Sequence, residues 1–154
     1  FTSCPEFRFP PELVDRKITN PDAPRNDHWI DVQSRGERTR AIPILFASTP
    51  KYDLAKGGEF FEYLHFALAL TPLNSGAESS ARIVDVGEVQ GFFEQVGRNT
   101  GYIIHPEEIL ADNFALLFVE MPTVPSPAIV TELLSVVRAE SHAQATLPAS
   151  APLP

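Results

Sequence analysis

Several side chains of this sequence have the types and spacing of a hydrolytic metal site. Glu62 and His65 stand in the run Phe61-Glu62-Tyr63-Leu64-His65, one residue away from the zinc-binding pattern H-E-x-x-H. In that pattern two histidines four apart hold the metal from one helix face, and the glutamate takes a proton from the bound water. Glu62 occupies the position of the base and His65 that of the second ligand. The first-ligand position holds Phe61, which cannot bind a metal. Glu108, in the first turn of a helix opened by Pro106, is a candidate third ligand. Asp112 is one turn further on the same face and could hydrogen-bond the far nitrogen of a metal-bound imidazole. Tyr102, shortly before Glu108, could donate to a developing oxyanion.

These groups need helices to present them. Residues 59–70 are apolar on nearly all sides, which predicts a deeply buried helix carrying Glu62 and His65. Pro106 suits the first turn of a helix over 106–118, with Glu107 and Glu108 near its positive end and Leu110, Phe114, Leu117 and Phe118 as its buried stripe. Val89, Phe92, Phe93 and Val96 recur at helical spacing up to Gly97. Ser126-Pro127 opens a last amphipathic helix carrying Ile129, Val130, Leu133, Leu134 and Val137. Short strands are expected at 29–32, 41–47 and 82–86, the second pushed to a sheet edge by Pro43. A charged turn around Gly36 separates the first two. The expected fold is α+β: one mainly helical domain over 1–140 with a few short strands, followed by a disordered Ala/Ser/Pro tail over 141–154.

Composition narrows the function. The 154 residues suffice for one domain with a real core. Twelve basic against twenty acidic residues give a formal charge of −8, which argues against a nucleic-acid partner. No apolar run reaches the ~18 residues that span a bilayer. Cys4 is the single cysteine, so no internal disulfide forms. The sequence starts at Phe1, with no signal-peptide pattern visible. A cytoplasmic location, or secretion after removal of a signal, fits equally.

Thr100-Gly101-Tyr102 and Glu108-Ile109-Leu110-Ala111-Asp112-Asn113-Phe114, together with Glu62 and His65, resemble the glutamate-zincin (gluzincin) metallopeptidases, in particular compact bacterial enzymes similar to the catalytic domain of anthrax lethal factor. The resemblance covers about residues 59–118. It implies a zincin-like domain, a Zn2+ cofactor and a peptide or protein substrate. It also implies Glu62 as base, His65 and Glu108 as ligands, Tyr102 at the transition state and Asp112 behind the ligands. Phe61 departs from it and leaves three explanations. The chain is an inactive relative, another group such as His105 or Glu59 replaces the missing ligand, or position 61 is histidine and the sequence is misread there. As written, the chain is expected to bind zinc weakly or not at all and to be inactive. The rival function is a non-catalytic binding module that keeps the same fold as a scaffold.

Each candidate also has a plain structural role. Glu107 and Glu108 complement a helix dipole, His105 sits where a helix cap belongs, and Tyr102 suits a core position with a bonded hydroxyl. A di-iron carboxylate bundle also uses Glu-x-x-His, but it needs a second copy, which is missing.

Overall fold

The computed structural model describes residues 1–21, 23–51, 55–73, 81–119 and 123–145. Among them a six-stranded antiparallel sheet is the frame, and the mainly helical zincin-like architecture is overturned. The strands are β1 (Thr2–Ser3), β2 (Lys17–Ile18), β3 (His28–Ser34), β4 (Glu37–Ala47), β5 (Leu64–Thr71) and β6 (Arg82–Val84). Their order is β1-β3-β4-β5-β6, with β2 also paired to β4. Helices α1 (Pro11–Val14), α2 (Phe92–Val96), α3 (Pro106–Ala115) and α4 (Pro127–Ala145) complete the fold. Residues 146–154 of the expected tail lie outside the described residues.

The largest correction falls on residues 59–70. Phe60–Tyr63 form one 3-10 turn, and the chain then enters β5. All eight β5 residues pair with β4, from Arg40↔Thr71 to Ala47↔Leu64. The run is apolar on every side because a central strand is covered on both faces, a pattern that periodicity alone does not separate from a buried helix. Leu68 and Leu70 join the core under α2 and α3, with Ile30, Val32, Val84, Phe92, Val96 and Ile109. Ala67 and Ala69 face the opposite side, with Ile42, Ile44 and Phe46. The N-terminal segment covers that side through Cys4, Phe7, Phe9 and Leu13. Burial and the carboxylate of Asp27 raise the Cys4 thiol pKa, which Arg40 partly offsets, so the sulfur stays protonated and packs as an apolar atom.

Pro43 lies in a central strand, not at an edge. On one side of β4 the partner changes, from β3, whose pairing reaches Ala41, to β2, whose pairing starts at Leu45. The proline stands in that gap. Its carbonyl points into the gap and accepts Asn26 Nδ2 at 3.0 Å. In an antiparallel strand the N–H and C=O of one residue point the same way, so the missing N–H interrupts no ladder bond. The charged turn contracts to two residues, Arg35 and Gly36, both at positive φ (54° and 81°), as the tight hairpin Ser34↔Glu37 requires.

Candidate functional site

The six sequence-derived positions are held by different neighbours. Phe61 projects from the 3-10 turn, 68% exposed, with its ring edge-on to Phe60. Glu62 is exposed on the same turn. His65 lies on β5, its ring tilted against that of Phe46 at a centroid distance of 5.0 Å, with Nε2 3.0 Å from Asp85 Oδ1. A 3-10 turn followed by a strand does not present positions 61 and 65 on one helix face, which removes the geometric basis of the gluzincin resemblance. Asp112, expected beside a site histidine, accepts the Thr100 hydroxyl instead. Thr100 Oγ1 also accepts the backbone N–H of Tyr102 at 2.9 Å, and the Tyr102 side chain is 56% exposed. Among the described residues, no three His, Cys, Asp or Glu side chains are grouped to hold a metal ion.

The Asn99–Tyr102 and Asp112–Asn113 segments do have a structural role. Asn113 is 1% exposed on the inner side of α3. Its Oδ1 accepts Asn99 Nδ2 at 2.8 Å, and its Nδ2 donates to the Ile109 carbonyl at 2.7 Å. Asn99 in turn grips Ser126, donating to its carbonyl and accepting its N–H. Ser126 Oγ accepts the Arg98 N–H at 2.9 Å. This clamp ties the loop before α3 to the start of α4. Gly97, at φ +76°, makes room for it: a Cβ there would stand 2.9 Å from Ile129 Cγ1.

Glu108 lies in a second polar cluster, where the loop from Asn20 to His28 meets the first turn of α3. One Glu108 oxygen accepts Asn20 Nδ2. Among the described residues the other is buried without a hydrogen-bond partner, as are Nε2 of His105 and Oδ1 of Asn26. His105, 3% exposed, is the residue before the helix. Burial lowers its pKa below the usual histidine value; Glu108, Glu107 and Asp27 oppose the shift and His28 adds to it. A pocket of about 140 Å3 beside Asp27, His28 and Glu107 is below the usual size of ligand sites.

Of the four residues expected as the core stripe of this helix, Leu117 is half-buried and the other three face outward. Leu110 is 55% exposed, Phe114 42% and Phe118 75%. The inward positions are Ile109 and Asn113. Leu110 and Phe114, four residues apart, lie on one side of α3, and Phe118, just past the helix end, packs its ring against Phe114 at a centroid distance of 5.1 Å. Leu110 also borders a groove of about 620 Å3 between α2, α3 and α4. Its apolar lining includes Ile30, Val96, Ile109 and Ile129, and its carboxylates are Glu94 on α2 and Glu132 on α4. No lysine, arginine or histidine lines it among the described residues. α4 leaves this region open, since none of its residues from 127 to 139 is fully buried.

No family model, curated protein or solved structure matches this chain. Among the described residues, no helix is long and apolar enough to cross a membrane.

Proposed function

We propose that the chain is a non-catalytic interaction module that docks a protein segment on the outer face of α3 and the adjoining groove. The observation that carries this reading is the exposed Leu110–Phe114–Phe118 ridge. Contiguous apolar surface of this kind marks an interaction site. The ridge is rigidly presented, because the opposite side of α3 is held by the Asn99–Asn113–Ser126 clamp. Covering one leucine and two phenylalanines from about half exposure contributes on the order of 3–5 kcal/mol. That suits a reversible contact once association costs are subtracted.

The test is a peptide-display selection on the whole chain, followed by NMR mapping of a selected peptide. Shifts confined to α2, α3 and α4, and lost in Leu110→Ser/Phe114→Ser, support the reading. Shifts elsewhere, or binding indifferent to that variant, refute it. The Phe61→His variant separates this reading from zinc-dependent peptide hydrolysis. It is expected to gain no stoichiometric zinc, since positions 61 and 65 do not share a helix face. Stoichiometric zinc with peptidase activity that disappears on adding Glu62→Gln would favour the hydrolase instead.

A further inference from the structure

We infer that the partner docked on the outer face of α3 and the groove that adjoins it at Leu110 is a basic amphipathic helix, with an apolar row for the ridge and lysine or arginine on the flank that faces the groove. This rests on the docking reading and names the partner chemistry of that site.

The ridge specifies the shape. Leu110 and Phe114 stand about 6 Å apart along α3, at 1.5 Å rise per residue, and Phe118, just past the helix end, extends the row by packing its ring against Phe114 at a centroid distance of 5.1 Å. A helix carrying apolar residues at i, i+4 and i+7 presents a matching row, the usual geometry of helix-in-groove recognition.

The rim specifies the charge. Glu94 and Glu132 stand on different helices that border the same groove, so the carboxylates come from two sides of it. Glu94 is held in place: one of its oxygens accepts the Gly91 N–H at 3.0 Å, and the other remains to receive a donor. No cationic side chain is among the described lining residues. An acidic or neutral helix seated there would leave two carboxylates facing apolar surface or like charge. A basic flank compensates them. The formal charge of −8 adds a long-range field of the same sign, which accelerates encounter with a cationic partner.

The experiment uses the whole chain and two synthetic 14-residue peptides with the same leucine and phenylalanine positions. One has lysine at the flanking positions and the other glutamate. Fluorescence anisotropy at low and moderate salt reads the affinities. The lysine peptide is expected to bind at least ~10-fold tighter and to weaken as salt rises. Glu94→Gln/Glu132→Gln, which keeps an oxygen for the Gly91 N–H, should remove most of that preference. Phe114→Ser should weaken both peptides. If both peptides bind alike and Phe114→Ser abolishes both, the docking reading stands and the charge inference fails. If neither binds the parent chain, both fail. If sedimentation shows the ridge occupied by a second copy of this chain, the basic-helix inference is overturned.

Discussion

The two sides of α3 reverse the usual division of labour in a surface helix. Its inner side buries an asparagine, and its outer side exposes a leucine and a phenylalanine, with Phe118 just beyond its end. The inner polarity is tolerated because each polar atom of Asn113 has a partner, and each bond fixes a neighbouring segment. The outer apolarity has no such compensation within the described residues. One side therefore ties α3 to its neighbours, and the other is the face proposed for contact. Burial, more than residue type, tells the two apart.

The largest expected effect comes from breaking the inner side. Asn113→Ala removes an acceptor for Asn99 and a buried donor, and should cost ~2–3 kcal/mol in urea unfolding. Gly97→Ala forces a side chain into a left-handed backbone and against Ile129, and should cost ~1–3 kcal/mol. A loss below 0.5 kcal/mol in either variant would mean that the clamp does not hold α3 and α4 together. Outward substitutions should matter much less: Phe118→Ser is expected to change stability by no more than ~0.5 kcal/mol, and a change as large as that of Asn113→Ala would erase the distinction between the two sides.

A smaller effect should appear with pH at the start of α3. Burial holds His105 below its usual pKa, so the unfolded chain binds the proton more readily. The stability that neutral His105 contributes is then present above about pH 6.5 and declines as the pH falls toward the lowered folded value. Unfolding measured across that range should show this slope in the parent chain and a flatter one in His105→Gln. An identical slope in both would place the titration elsewhere.

Single elements are legible where proline or alternation gives a local physical signal, but the sheet that frames the fold is not. Pro106 and Pro127 mark helix starts, and Trp29–Val32 alternates as half of a strand. β5 was misread because a strand covered on both faces has no period of two. Pro43 misled because its tolerance depends on the gap between β3 and β2, a tertiary fact. The zinc-site pattern assumes a helix that is absent: Glu62 and His65 have the spacing of that pattern only if one helix carries both, and here a 3-10 turn carries one and β5 the other. The ridge was visible as an apolar row but was assigned to the core, since spacing gives the face and not what covers it. Asn113 carried no signal beyond its place in the motif, although the Asn99 and Ser126 turn residues could have suggested partners for a buried amide.

On the proposed reading, the outer face of α3 binds a basic helix and is not core. Urea unfolding of the parent and of Leu110→Ser/Phe114→Ser/Phe118→Ser, each with and without the lysine-flanked peptide, tests it most directly. With free peptide at 100 times its dissociation constant for the parent, the parent should gain ~2.7 kcal/mol. The triple variant should keep its own stability within ~1 kcal/mol of the parent and gain almost nothing from the peptide. A triple variant that loses several kcal/mol without peptide, or one that gains as much from peptide as the parent, would contradict the claim.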